Sequence, residues 1–229
     1  MSFSVYSTII EYFTIHCTPS MRGNLILIEG LDRSGKSTQA TILAEKLDAE
    51  LIKFPDRSTP IGQIINRYLV DRDFHLPDQA AHLLFSANRW ELANSLVESL
   101  QAGKNIVMDR YIYSGIAYSL AKKGAEMDSY EWLYGPDRGL PKPDLTLFLT
   151  ISLEELSSRK GYGEERYEQL EFQSNVKECF LKILDSSDPT IAIVDVDGLS
   201  IDEVTGKLWS EIHIRGLDQS SNNKITYFQ

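Results

Sequence analysis

The chain has 229 residues, of which 23 are basic and 33 acidic, giving a formal charge of −10. With 42% apolar and 10% aromatic residues it can bury a full core, which excludes wholesale disorder and suits one α/β domain of ordinary size. The acidic balance excludes a broad basic face for a nucleic-acid backbone, while leaving room for a local cationic pocket.

Residues 1–20 carry one charged residue, Glu11, and no Lys or Arg. That lacks the basic start of a secretory signal and the arginines of a mitochondrial presequence, so a poorly ordered extension is expected ahead of a domain spanning 21–215. The first strand is expected at Asn24–Glu29 (NLILIE), with further strands at Leu51–Phe54, Asn105–Asp109, Leu145–Thr150 and Thr190–Asp195. These are nearly continuous apolar runs, as in parallel strands covered on both faces. Helical patterns fall between them at Lys36–Leu47, Ile61–Leu69, Asp78–Gln101, Glu168–Leu184 and Ile201–Ile212. In the longest, Pro77-Asp78 opens the helix and Gly103 ends it. Ala80, Leu83, Ala87, Trp90, Val97 and Leu100 recur at three- to four-residue spacing and predict its apolar face. Such alternation means a doubly wound sheet. The polar tail 216–229 is expected to be loosely attached. Cys17 and Cys179 stand far apart, which excludes cysteine zinc sites and points to a reducing compartment. No apolar run reaches the roughly 18 residues of a membrane span, so no membrane partner is expected.

Directly after the first strand stands Gly30-Leu31-Asp32-Arg33-Ser34-Gly35-Lys36-Ser37, a G-x-x-x-x-G-K-S loop leading into a helix. Glycines let successive backbone N–H groups turn toward phosphate oxygens, and the helix adds its positive end. Lys36 supplies a point charge for the β- and γ-phosphates, and the Ser37 hydroxyl can ligate Mg²⁺. Arg33 either reaches the γ-phosphate as an arginine finger or faces solvent. No N-K-x-D guanine-reading motif occurs, which disfavours a GTPase.

A second anion site is suggested by Asp109-Arg110-Tyr111, at the strand edge where such sheets bind ligands. An aspartate there can hold magnesium through water, and an arginine can bridge two phosphates. Phe54-Pro55-Asp56-Arg57 ends the second strand, where an X-Pro bond can be cis; Arg57 either joins Arg110 or remains a surface charge. Phe85 and Arg89 lie four apart on one helix face, as a base-reading pair or as a core phenylalanine beside a solvated arginine.

Taken together, these residues resemble thymidylate (dTMP) kinase of the eukaryotic type. The resemblance runs from Asn24 to about Ile212 and rests on GLDRSGKST, FPDRSTPIG at 54–62, HLLFSANRWE at 82–91, MDRYIYSGIAYS at 108–119, GLPKPDLTLFL at 139–149 and GEERYE at 163–168. It implies an α/β fold of the P-loop NTPase type, a three-layer sandwich with a five-stranded parallel sheet and a short lid at about 157–166. ATP would be bound by Gly30, Asp32, Arg33, Ser34, Gly35, Lys36, Ser37 and Thr38, with Mg²⁺ on Ser37 and, through water, on Asp109. The dTMP would be held by Phe54, Arg57 and Arg110, stacked on Phe85, read by Arg89, Ser114 and Gly115, and covered by Tyr167. Asp32 would lie near the sugar 3′-hydroxyl, and Tyr118 would crowd the 2′ position. Arg33, Lys36, Asp109 and Arg110 would form the catalytic set. The family places its mobile catalytic arginine either in the P-loop, as Arg33 stands here, or in the lid, where Arg159 and Arg166 occur. A homodimer in the cytoplasm or nucleus is also implied. Two rivals remain at this level: a deoxynucleoside kinase, with Asp56 as base, and a nucleotide-binding regulatory subunit without turnover.

Overall fold

The computed structural model describes residues 21–122, 129–158, 166–167 and 169–229. The expected extension and most of the expected lid, Arg159 included, therefore lie outside the described residues. Five strands form the sheet: β1 (Leu25–Gly30), β2 (Glu50–Lys53), β3 (Ile106–Asp109), β4 (Leu145–Thr150) and β5 (Ile191–Asp195). All pairings are parallel, in the order β2-β3-β1-β4-β5. The central strand β1 is buried along its whole length, whereas the edge strands β2 and β5 alternate toward solvent. This is the burial expected of a parallel sheet covered by helices.

Eight helices accompany the sheet among the described residues: α1 (Lys36–Lys46), α2 (Pro60–Val70), α3 (Asp78–Gln101), α4 (Ile112–Ala121), α5 (Tyr130–Tyr134), α6 (Leu153–Ser158), α7 (Leu170–Ile183) and α8 (Ile201–Ile214). Helix α1 packs on α8, while α4 packs on α7 and α3. Local chemistry sets several starts. Thr59 caps α2 by accepting from the Gly62 amide, with Pro60 at its first position, and Ser200 and Glu203 form a reciprocal capping box on α8. Helix α1 has no side-chain cap and begins at Gly35, whose φ of 98° suits a residue without Cβ. Its first amides are thereby left for an anion. None of the described helices is long and apolar enough to cross a membrane.

The fold departs from the sequence reading in three places. Helices α4, α5 and α6 were not expected from periodicity. In α3, Leu83 and Trp90 from the expected apolar face are exposed, and the residues buried along it include His82, Ser86, Asn88 and Arg89. The helix turns a polar side inward because that side bonds to neighbouring segments, His82 to Ser119, Ser86 and Arg89 to Asp137, and Asn88 to the Asp56 backbone, so apolar spacing misreports the buried face. Third, the tail is bonded rather than loose. Arg22 and Ser221 exchange backbone hydrogen bonds, and the Asn24 side chain donates through Nδ2 to the carbonyls of Leu217 and Gln219 at 3.0 and 2.6 Å. Beneath it Arg22 and Asp144 form an ion pair at 2.6 Å.

Candidate active site

The loop after β1 wraps as its composition predicts, with Arg33 at a φ of 61° and Gly30 and Gly35 also at positive φ. The Lys36 ammonium is buried and donates to the Leu31 carbonyl within the loop, with Ser34 Oγ at 3.5 Å. Burial, with the charge of Arg110 beside it, lowers its pKa to about 8. Ser37 Oγ donates to Asp109 Oδ2 at 2.5 Å, so the two residues expected to share a metal meet between the start of α1 and the end of β3. Arg33, Lys36, Ser37, Asp109 and Arg110 line one open cavity, with Arg57 on its far side. Ser34 is buried within the loop, and Thr38 stands exposed in the first turn of α1.

A second cavity adjoins the first. Every residue expected to hold dTMP lines it: Asp32, Phe54, Arg57, Phe85, Arg89, Arg110, Ser114, Gly115, Tyr118 and Tyr167. Arg110 lies at the junction of the two. Its φ is 69°, its amide donates to the Ile28 carbonyl, and its guanidinium donates to the Gly30 carbonyl and Ser114 Oγ and pairs with Asp32. Burial opposes its charge, but the oxygens of Tyr118, Asp32, Asp109 and Glu29 more than offset it and raise its pKa further. Asp32 in turn is held below the usual carboxylate range: burial works against ionisation, and Arg110 and Lys36 outweigh it, helped by hydrogen bonds from Tyr118 and Gln173.

One end of this cavity is built on an ion pair between elements distant in sequence. Arg89 donates through Nε and Nη2 to the two carboxylate oxygens of Asp137 at 3.0 and 2.7 Å, and Ser86 Oγ donates to the same carboxylate at 2.7 Å. Both charged side chains are nearly sealed from solvent, at 3% and 0% exposure. The guanidinium lies flat against Gly115, where a Cβ would come within 3.0 Å of both terminal nitrogens. Phe85 is half-buried, beside a small cluster that includes Ile65, Tyr68 and Leu69 from α2 and Tyr167. Arg57 is exposed and donates to Asn66 at 3.0 Å; the Phe54–Pro55 bond before it is cis.

Several contributors were not singled out from sequence. Asn88 accepts from the Asp56 amide at 2.8 Å and donates to the Asp56 carbonyl and Thr59, pinning the loop that carries Arg57 to α3. Glu29, wholly buried, accepts from the amides of Tyr111 and Ser114 and from Ser114 Oγ, and so caps α4 from a neighbouring strand. Burial raises its pKa, against the pull of Arg110 and of those hydrogen bonds. Gln173, on α7, bonds both the amide and the carboxylate of Asp32 and also the Tyr167 carbonyl, joining Tyr167 to the loop after β1. His82 is bonded to Ser119 and to the Leu133 carbonyl; burial, then the charge of Arg89, lowers its pKa. Only the spacing in HLLFSANRWE could have flagged His82 and Asn88, since they fall three residues before and three residues after Phe85. Arg166 is committed elsewhere, donating to the carbonyls of Tyr68, Asp71 and Phe74. Tyr167 stacks on Phe172 at 5.2 Å, and its hydroxyl meets that of Tyr68 at 2.9 Å.

Comparison with known proteins gives the same reading. The family model described as thymidylate kinase matches residues 28–207. A thymidylate kinase of Dictyostelium discoideum is 48% identical over 195 residues, covering 82% of this chain and 84% of that protein. One from Schizosaccharomyces pombe is 50% identical over 167 residues, covering 71% and 77%. A solved thymidylate kinase structure from Candida albicans superimposes with a TM-score of 0.89 at 57% identity, over 92% of this chain and all of that one. A motif-bearing loop, an adjoining arginine-lined cavity and this degree of likeness over most of the length agree, and the chain belongs to the thymidylate kinase family.

Proposed function

We propose that ATP lies over the P-loop with its γ-phosphate facing Arg110, and that dTMP fills the adjoining cavity with its phosphate toward Arg57 and Arg110 and its base between Phe85 and Arg89. As a thymidylate kinase the chain is an enzyme that phosphorylates dTMP from ATP. The observation that supports the residue assignment is that two arginines, Arg57 and Arg110, line both cavities at once, with Arg110 the more buried and paired with Asp32 between them. An acceptor phosphate oxygen is already ionised at neutral pH, so the reaction needs no strong base. It needs in-line positioning and neutralisation of charge on the transferred group. Lys36 exchanges its loop partners for phosphate oxygens, Arg110 spans donor and acceptor, and Arg33 approaches from the loop. Tyr118 and Gln173 hold Asp32 beside the sugar.

Ser37 and Asp109 offer hard oxygen donors side by side, and the described residues hold no cluster of three or more His, Cys, Asp or Glu side chains. That donor set fits Mg²⁺, which keeps several waters and takes substrate phosphates as ligands. Bound there, the ion would supply charge neutralisation at the β- and γ-phosphate oxygens. Deoxynucleoside kinase chemistry would need a base near the acceptor hydroxyl. Asp56 instead accepts from the amide and hydroxyl of Ser58, at 2.9 and 2.6 Å, and does not line the acceptor cavity. Exposed Leu83 and Trp90, two turns apart on α3, present an apolar patch suited to a homodimer contact. The cytoplasm or nucleus is the expected place of action.

The test is ADP release with dTMP or thymidine as acceptor, in ATP and Mg²⁺, for the unaltered chain and for Arg110→Ala. Turnover with dTMP and not with thymidine is expected. The variant should lose on the order of a hundredfold or more in kcat with a much smaller rise in the ATP KM. Near-normal turnover by Arg110→Ala would remove Arg110 from the catalytic role.

A further inference from the structure

The end of the chain is built into the back of the acceptor cavity. Residues 226–228 run antiparallel to residues 139–142: Lys142 donates to the Thr226 carbonyl at 2.8 Å, Phe228 to Leu140 at 3.0 Å, and Gly139 to Phe228 at 2.9 Å. This places the Phe228 ring 6.2 Å from the ring of Tyr111 and 6.0 Å, edge-on, from that of Tyr113. On its other side Tyr111 meets Phe54 at 5.4 Å. Tyr111 and Phe54 both line the acceptor cavity, whereas Phe228 stands behind them.

Two features make this packing more than cover. Tyr111 is 1% exposed and its hydroxyl has no hydrogen-bond partner among the described residues, so its ring is located by packing. It directly follows Arg110, whose positive φ is strained for a non-glycine residue and persists only where the surroundings enforce it. In addition, the strand pairing holds the loop immediately after Asp137, whose carboxylate orients Arg89.

We propose that Phe228 is a positioning residue for the acceptor site, acting through Tyr111 on Arg110 and Phe54, with the paired tail backbone steadying the loop that orients Arg89. The inference rests on the assignment of this cavity to dTMP. Its signature is selective: the dTMP side of the reaction depends on the tail and the ATP side does not.

The experiment is steady-state kinetics on the full chain, varying dTMP and ATP separately. Phe228→Ala is expected to raise the dTMP KM about tenfold and leave the ATP KM within about twofold. Phe228→Leu, which keeps most of the apolar volume, is expected to fall between that and the unaltered chain. Trp209→Ala, on α8 against Lys46 and remote from the cleft, is the control for general destabilisation and should leave both KM values unchanged. A folded Phe228→Ala with unaltered dTMP KM, or with equal rises for both substrates, overturns the proposal. If the alanine variant does not fold, Phe228→Leu decides, and a dTMP KM identical to the unaltered chain overturns it. Phe85→Ala run alongside separates the two levels. A raised dTMP KM there with none at Phe228 sinks the tail inference alone, and no change at either position sinks the cavity assignment with it.

Discussion

Replacing Asp137 by alanine would strand a charge. Arg89 is 3% exposed, and the carboxylate it would lose accepts two of its hydrogen bonds and a third from Ser86. Breaking a buried pair by removing one partner typically costs about 3–5 kcal/mol, chiefly because the remaining charge is left uncompensated. For a chain of this size each kcal/mol moves the melting temperature by about 2–4 °C, so a fall on the order of 10 °C is expected. Urea unfolding should show the loss as a lower midpoint with little change in slope. Asp137→Asn, which keeps an oxygen acceptor, should lose less. Removing both charges together, as Arg89→Met with Asp137→Leu, should recover part of the loss, since an apolar pair avoids desolvating two ions. The same single variant should weaken dTMP binding by about tenfold or more, because Arg89 loses what holds it against Gly115. A destabilisation by Asp137→Ala of less than about 1 kcal/mol would refute the reasoning, since it would mean water or another group reaches Arg89.

Gly115→Ala should cost about 1–3 kcal/mol of stability and raise the dTMP KM, because the new Cβ meets a guanidinium that Asp137 prevents from yielding. A variant with unchanged melting temperature and KM would show that Arg89 can move. The pH dependence follows from Lys36, whose pKa in the ligand-free site is about 8. It is charged below that pH and loses its proton above it, so kcat/KM for ATP, which reports the free enzyme, should fall as pH rises through 8. With phosphates bound the ammonium is stabilised, and kcat should hold to higher pH; a kcat/KM for ATP that stays level to about pH 9.5 would contradict this.

The parts of this site that were legible in the sequence are those carried by short contiguous runs. Gly30 to Ser37 and Asp109-Arg110 announce themselves because backbone geometry and residue type act within a few positions, and the five strands were marked by apolar runs to within a residue or two at each end. What was not legible depends on pairings across the chain. Glu29 reads as the end of a strand, and nothing local reveals that its carboxylate caps a helix 82 residues on. Asp137 lies 48 residues from the arginine it holds. The tail was misread for a related reason: its composition is polar, yet its backbone pairs with residues 139–142, and its few apolar side chains, Leu217, Ile225 and Phe228, pack on the core. Helix α3 shows the limit of periodicity itself, since its buried side carries polar groups whose partners, Asp137 and the Asp56 backbone among them, stand on distant segments.

The pairing of β1 with β3 sets Asp109 opposite Ile28, so the spacing between the donor loop and Arg110 is written in the sheet's backbone register. Such a spacing comes in steps. A slip of one residue would turn Asp109 to the opposite face of the sheet, and a slip of two would carry Arg110 about 6.6 Å along the strand. No intermediate setting exists, so substitutions in the core can weaken the sheet without gradually misaligning the reacting phosphates. On the proposed assignment, changes in specificity come from helix residues such as Phe85 and Tyr118, which can vary while the distance across which phosphate is passed stays fixed.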